Sequence, residues 1–278
     1  MSDTPTSTAR TQSEAETYQR LRAHLAFLNL ADAAEALPRL LDQARTSKLP
    51  LIETLEALLD VEVTATEQRR LTSRLRFACL PAPWRLADFD YSAQPGIDEP
   101  LIRELATLRF IDEGANILFI GPPGVGKTML AVGLARAGAE AGHRVYFTTA
   151  ADLAARCRKA ALEGRWASMM RFYAGPRLLV LDELGYLTLA ADAAAALFQV
   201  INTRYTNGSS TLITTNVGIG SWATAFGDNP MVAAAMLDRL LHRGVVVGID
   251  GPSYRLRSHQ ARAEALRTGT EVSPHASR

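Results

Sequence analysis

The sequence has only two cysteines, no long apolar run and almost no net charge. Cys79 and Cys157 lie far apart, which excludes a disulfide scaffold and a cysteine zinc site and is typical of a reducing compartment. No apolar run approaches the ~18 residues that cross a bilayer, and the polar residues 1–8 lack the apolar segment of a signal peptide. We therefore expect a cytoplasmic protein with no membrane partner. Because the formal net charge is +1, any nucleic-acid surface must be a local basic patch.

The composition divides the chain into four stretches. Residues 1–12 are rich in Ser and Thr and are predicted to be a disordered tail. Residues 13–80 carry apolar residues at helical spacing and predict a small all-helical domain, in which Pro38 marks a helix start or a kink. Residues 81–257 begin with a proline-broken connector and then alternate apolar strands with helices, which predicts an α/β domain with a parallel sheet. The polar residues 258–278 are predicted to be a frayed tail.

The strongest motif is a glycine-rich loop between a predicted strand and a predicted helix. Apolar residues 117–120 are followed by Gly-Pro-Pro-Gly-Val-Gly-Lys-Thr at 121–128. Glycines let successive backbone N–H groups face one anion, and the helix N-terminus adds its positive dipole end. We expect Lys127 to contact the β- and γ-phosphates of a nucleotide and the Thr128 hydroxyl to hold Mg²⁺. The predicted binding residues are Gly121, Pro122, Pro123, Gly124, Val125, Gly126, Lys127, Thr128 and Met129.

A second strand ends in two acids, as a nucleotide site of this kind requires. The apolar residues 178–181 precede Asp182 and Glu183. We expect Asp182 to hold Mg²⁺ through water and Glu183 to polarise the attacking water. The next strand ends at Asn216, whose neutral amide can orient that water or touch the phosphate. An ordinary turn residue at a strand end is the alternative interpretation of Asn216.

One arginine is a candidate catalytic residue only across a subunit boundary. In the helix predicted over residues 232–242, Leu237, Leu240 and Leu241 form the apolar stripe and leave Arg239 facing outward. An outward arginine is ordinarily a solvated charge. It becomes an arginine finger if a neighbouring subunit brings its nucleotide to that position.

Taken together, the motifs of residues 15–257 resemble the IstB family, the ATP-binding helper proteins of insertion-sequence transposition. These proteins are AAA+ ATPases related to the DnaC helicase loader. Beside the loop and the acids, the resemblance is carried by Phe-Thr-Thr-Ala (147–150), Leu-Asp-Glu-Leu-Gly-Tyr-Leu (181–187), Thr-Thr-Asn (214–216), Leu-Asp-Arg-Leu-Leu-His (237–242) and Ser-Tyr-Arg-Leu-Arg (253–257).

The resemblance implies an AAA+ P-loop core with strand order 5-1-4-3-2 and with ATP and Mg²⁺ at a subunit interface. Lys127, Thr128, Asp182 and Glu183 would act in one protomer and Arg239 in trans, while Asn216 matches the sensor position of the family. It also implies ATP-dependent homo-oligomers on duplex DNA that serve a transposase. The chain after Ile249 is too short for a helical lid domain, so Arg255 is the candidate to replace a lid arginine.

The resemblance also places DNA contacts on a basic helical segment, residues 150–173. Each of its basic residues can neutralise a phosphate regardless of sequence, with strong salt dependence. A solvated helix face is the alternative interpretation, as it is for the basic residues 69–76. The candidate DNA-binding residues are Arg156, Arg158, Lys159, Arg165 and Arg171.

Other functions share parts of this pattern. A replicative helicase loader has the same site but a different client. A small-molecule kinase needs an acceptor pocket and a lid arginine cluster, and the Asp182–Glu183 pair argues against it. A GTPase needs an Asn-Lys-x-Asp motif, which the sequence lacks. A DNA-binding scaffold with structural ATP would have no use for Glu183.

Overall fold

The computed structural model describes residues 7–186, 190–226, 229–256 and 267. Apart from residue 267, the predicted tail over residues 258–278 lies outside these ranges, as does the last residue of the 181–187 motif. The chain forms two compact units, Met1–Thr72 and Ser73–Arg278. In the described ranges, no helix is both long enough and apolar enough to cross a membrane.

The first unit is helical. It contains α1 (Ser7–Phe27), α2 (Ala31–Ser47) and the part of α3 (Leu51–Ala78) up to Thr72. Its buried core is formed by residues that recur at helical spacing, namely Leu25, Ala33, Leu37, Leu40 and Leu58. The first helix begins at Ser7, inside the stretch predicted to be disordered. Pro38 lies within α2 and so does not mark a helix start.

A buried carboxylate joins α2 to α3 inside this unit. Glu62 accepts a hydrogen bond from the backbone N–H of Ala33 at 3.1 Å and one from Arg69 Nη2 at 2.7 Å. The Ala33 N–H, and after it the Arg69 guanidinium, lowers the pKa of Glu62. Arg69 also pairs with Asp32. One of the basic residues at 69–76 therefore has acidic partners within its own unit.

A five-stranded parallel sheet forms the centre of the second unit. Its strands are β1 (Asn116–Ile120), β2 (Val145–Thr149), β3 (Leu178–Leu184), β4 (Ser210–Thr215) and β5 (Gly244–Gly248). Their order is β2-β3-β4-β1-β5, which confirms the expected order when it is taken from the β5 edge. β1 and β3 carry apolar runs, as expected for strands with both faces covered by helices, whereas the central strand β4 is rich in threonine.

Helices of several lengths surround this sheet. They are α4 (Glu99–Leu105), α5 (Arg109–Asp112), α6 (Lys127–Glu140), α7 (Ala150–Leu162), α8 (Trp166–Ala174), α9 (Ala191–Thr206), α10 (Trp222–Ala225) and α11 (Pro230–Leu241). The single helix that the sequence predicts over residues 99–110 is instead two short helices. Leu108 has a φ of 65°, a left-handed conformation that a right-handed helix cannot continue through.

Two buried polar side chains fix the helices at the amino ends of the strands. Asn116 donates from Nδ2 to the carbonyl of Leu240 at 3.2 Å and accepts from the N–H of Thr211 at 2.9 Å. This ties the end of α11 to β1 and β4. Arg204 is fully buried and donates to the carbonyls of Tyr173 and Pro176 at 2.8 and 2.9 Å. These bonds hold α9 against the chain that enters β3.

Candidate nucleotide site

The glycine-rich loop lies between the end of β1 and the start of α6. Gly124 and Gly126 have φ values of 86° and 100°, conformations that only glycine adopts without strain. Space is also short at both positions. A Cβ on Gly124 would lie 2.1 Å from Ser253 Oγ, and one on Gly126 would lie 2.6 Å from a ring carbon of Phe89. Glycine is therefore required by the turn and by the segments that close over it.

Lys127 begins α6 and points its ammonium back to the loop. Its Nζ donates to the carbonyl oxygens of Gly121 and Pro122, both at 2.8 Å. Partial burial lowers the pKa of Lys127, with a smaller lowering from Arg255, while Asp182 opposes the change. The lysine thus lies among the charged groups that the sequence predicted to share its site.

The Thr128 hydroxyl and the Asp182 carboxylate, the two predicted Mg²⁺ ligands, lie within hydrogen-bond distance of each other. Thr128 Oγ1 lies 3.0 Å from Oδ1 and 3.2 Å from Oδ2 of Asp182, which is buried. Mg²⁺ typically takes one or two carboxylates and completes its shell with phosphate oxygens and water. The described residues contain no cluster of three or more His, Cys, Asp or Glu side chains placed to hold a metal. This donor set fits a metal that is shared with a nucleotide.

Glu183 has a backbone conformation that the strand pattern did not predict. Its φ is 59°, and the register between β3 and β4 shifts between Leu181 and Leu184. The bulge takes its N–H out of the strand ladder, and this N–H donates instead to Thr214 Oγ1 at 3.0 Å. The Glu183 side chain is exposed next to the buried Asp182. Asn216 is also exposed and follows the last residue of β4.

A cavity of about 760 Å³ opens beside the loop, within the size range of small-molecule sites. Gly124, Val125, Gly126, Lys127, Thr128 and Met129 form one wall. The other wall contains Trp84, Phe89 and Gln94 from the connector, together with Tyr254 and Arg255. The sequence did not predict the connector aromatics as site residues. Their alternation with prolines indicated only that the connector packs against the domain.

The segment after β5 connects the two walls of this cavity. The Tyr254 N–H donates to the carbonyl of Gly124 at 3.0 Å, and Gln94 Nε2 donates to the carbonyl of Pro252 at 2.7 Å. Arg255 therefore lies on the cavity wall, at the position from which it lowers the pKa of Lys127. From the sequence, Arg255 was predicted only as a candidate to replace a lid arginine.

Arg239 does not face outward as predicted. It is half-buried, donates from Nε to Asn202 Oδ1 at 2.6 Å and lies over the Phe198 ring at 5.1 Å. Of the predicted stripe, Leu240 is buried and Leu237 packs against the core, but Leu241 is exposed and α11 buries Met236 instead. Arg239 therefore lies at the margin of the buried face, where its side chain covers Phe198 on α9.

Arg239 is also remote from the nucleotide cavity of its own chain. The carbonyl of Arg239 lies 3.4 Å from Nδ2 of Asn116, at the amino end of β1. The loop begins at the other end of this strand, about 16 Å away for five extended residues. The structure brings Lys127, Thr128, Asp182 and Glu183 together and leaves Arg239 apart.

The five candidate DNA-binding residues lie on α7, α8 and the turn between them, and each has a partner in its own chain. Arg156 donates to the Tyr146 hydroxyl at 2.7 Å, and Arg171 donates to Ser168 at 3.2 Å. The ion pairs are Arg158 with Asp192 at 3.0 Å, Lys159 with Glu163 at 4.0 Å, and Arg165 with Glu163. Such exposed pairs contribute only about 0–1 kcal/mol, so a phosphate can replace the acidic partner.

The fold and the loop define a P-loop nucleotide-binding protein of the AAA+ class. Residues 23–262 match the sequence model of the IstB-like ATP binding proteins, and the chain belongs to that family. It is 38% identical to the ATP-binding protein of insertion sequence IS5376 from Geobacillus stearothermophilus, over 88% of this chain and 97% of that protein. It is also 38% identical to the IS21 counterpart from Pseudomonas aeruginosa, over 91% and 95%.

The solved structures agree on the fold. AMPPCP-bound DnaA from Aquifex aeolicus superposes with a TM-score of 0.52 at 20% identity, over 70% of this chain and 59% of that chain. At this identity the similarity concerns the fold alone.

Proposed function

We propose that the protein is an ATP-dependent DNA-binding helper of a transposase, which hydrolyses ATP and forms homo-oligomers on duplex DNA. The observation that carries the proposal is the arrangement of Thr128, Asp182 and Glu183. The first two lie within hydrogen-bond distance of each other, and Glu183 is the exposed acid directly beside them. A protein that only bound ATP would need no second acid at this position.

The chain has a group for each part of phosphoryl transfer to water. The loop N–H groups and Lys127 bind the β- and γ-phosphates. Thr128 and Asp182 would hold Mg²⁺, which would supply positive charge to the phosphate oxygens. Glu183 accepts a proton from the attacking water, and Asn216 orients that water. Water oxygen bonds to the γ-phosphorus, the bond to the bridging oxygen breaks, and ADP and phosphate leave.

The position of Arg239 supports the proposed assembly. Because it is remote from the cavity of its own chain, it can complete only the site of a neighbouring subunit. Its guanidinium is already oriented by Asn202 and Phe198, which lowers the entropy lost when it binds a phosphate. Bound ATP would then join one subunit to the next.

DNA binding is proposed for the basic residues on α7 and α8 and in the turn that joins them. The side chains of Arg158, Lys159 and Arg165 are 57%, 72% and 63% exposed. Their partners Asp192 and Glu163 are exposed acids. The basic side chains therefore remain available to duplex phosphates. Contacts of this kind are independent of base sequence and weaken steeply with salt.

The client is proposed to be a transposase because the relatives are named for insertion sequences. A replicative helicase loader would share the ATP site and differ only in its client. Pull-down of each candidate client by the ATP-loaded protein on duplex DNA separates the two proposals.

The experiment that tests the proposal measures ATP turnover against added duplex DNA, beside the particle mass with a non-hydrolysable ATP analogue. We expect DNA to stimulate turnover and the analogue to increase the mass on DNA. A chain whose turnover ignores DNA and whose mass stays that of a monomer would contradict the proposal and favour a kinase.

A further inference from the structure

One hydroxyl forms hydrogen bonds with both acidic residues of the proposed hydrolytic site, with the carboxylate of one and the backbone N–H of the other. Thr214, on β4, is 1% exposed. Its Oγ1 lies 3.0 Å from the backbone N of Glu183 and also forms a hydrogen bond with Asp182 Oδ1. A carboxylate only accepts and an N–H only donates, whereas a threonine hydroxyl does both. Thr214 therefore donates to Asp182 and accepts from Glu183.

The bond to Glu183 compensates for an unusual backbone. A left-handed φ is unfavourable for a non-glycine residue, and Glu183 has a φ of 59°. The bulge also removes the Glu183 N–H from the ladder, which would leave this part-buried donor without a backbone partner. Thr214 supplies that partner, so its hydroxyl stabilises the conformation from which the Glu183 side chain leaves the strand.

The bond to Asp182 has a second consequence. Thr128 and Thr214 both donate to Oδ1 of this carboxylate, and the Thr128 hydroxyl also lies 3.2 Å from Oδ2. A Thr128 hydroxyl that ligated Mg²⁺ through an oxygen lone pair would still have its hydrogen for Asp182. Thr214 is buried and orients the same carboxylate from β4.

We infer that Thr214 is a positioning residue for ATP hydrolysis, which fixes the Asp182 carboxylate and the Glu183 backbone relative to each other. The inference rests on the proposed function, because it concerns the two acids assigned there. It adds a positioning group on the neighbouring strand β4.

The chain offers a matched set of variants. Thr214→Val keeps the shape and removes the hydroxyl, while Thr214→Ser keeps the hydroxyl. Thr215 is the control, because it is equally buried on the same strand and its hydroxyl donates to the carbonyl of Leu184 at 2.7 Å instead of to an acid. Thr215→Val therefore measures the cost of losing a buried hydroxyl from β4 in general.

The experiment measures kcat for ATP hydrolysis on duplex DNA and the Kd for a non-hydrolysable ATP analogue, in the full chain. Thr214→Val should lower kcat about tenfold or more and change Kd less than about threefold, as expected for the loss of one or two buried hydrogen bonds at a reacting centre. Thr214→Ser should restore kcat to within about threefold of wild type. Thr215→Val should leave kcat within the same range.

Three outcomes would overturn the inference. Unchanged turnover in Thr214→Val would show that Asp182 and Glu183 keep their positions without the Thr214 hydroxyl. An equal loss in Thr214→Ser, or in Thr215→Val, would show that the strand rather than the hydroxyl is responsible. Absence of hydrolysis in the wild type would remove the proposed function as well, which distinguishes its failure from that of Thr214 alone.

Discussion

The hydroxyl of Thr128 lies 3.0 Å from Oδ1 of Asp182, although β4 lies between the strands that lead to these two residues. Their side chains meet over the carboxyl ends of the strands, where α/β proteins gather their ligands. These two side chains are the proposed ligands of Mg²⁺.

Replacing Thr128 by Val should remove the metal-dependent part of ATP binding. The variant loses the hydroxyl but keeps the shape of the first turn of α6. We therefore expect the factor by which Mg²⁺ raises the affinity for an ATP analogue to be at least about tenfold smaller than in wild type. The measurement is the Kd of an ATP analogue with and without Mg²⁺. Thr128→Ser should behave as wild type. If the Mg²⁺ effect is the same in Thr128→Val, this hydroxyl does not hold the metal.

Replacing Glu183 by Gln should separate binding from turnover. The amide cannot accept the proton of the attacking water, so kcat should fall by about 10²-fold or more while ATP still binds. Because ATP is retained, the oligomer should remain on DNA for longer. Turnover and DNA dissociation are followed in parallel. Wild-type turnover in Glu183→Gln would mean that another group positions the water.

The assignment of Arg239 to a neighbouring site predicts complementation. Arg239→Ala and Glu183→Gln should each lose at least about 10²-fold in turnover. Mixing them should restore part of it, because an intact Glu183 in one subunit can meet an intact Arg239 in the next. Arg243→Ala, which removes an exposed charge near the same helix end, is the control and should remain active. If mixing never restores activity, Arg239 does not act in trans.

Variants of the two members of the Arg158–Asp192 pair should change the affinity for duplex DNA in opposite directions. Arg158→Ala should weaken duplex binding and lower the salt slope of log K by about one. Asp192→Asn releases the same arginine from its carboxylate and should strengthen binding. Arg103→Ala, in an exposed pair with Glu99 on α4, is the matched control. Equal affinities for duplex DNA in all three variants would show that α7 does not contact DNA.

The residues from Gly121 to Thr128 followed from the sequence because their signals are local. The loop motif needs fixed positions between one strand and one helix, and the Asp182–Glu183 pair ends an apolar run. The resemblance to IstB proteins then supplied the strand order, which spacing alone does not determine.

The remaining features depend on contacts between distant segments. The left-handed backbone of Glu183 arises from a bulge against β4, and Thr214 is visible as its partner only when the two strands are paired. The wall formed by Tyr254 and Arg255 requires the chain after β5 to return to the loop. Arg239 was misplaced because the buried face of α11 is set by Met236 and Leu240 rather than by the leucines alone.

The central claim is that ATP bound by Gly121–Thr128 drives both turnover and assembly on DNA. Its most direct test is Lys127→Ala, assayed for ATP affinity and for ATP-dependent particle mass on duplex DNA, with thermal melting as the control for folding. We predict loss of measurable ATP binding and of DNA-dependent assembly with an unchanged fold. Wild-type ATP affinity in Lys127→Ala would contradict the account.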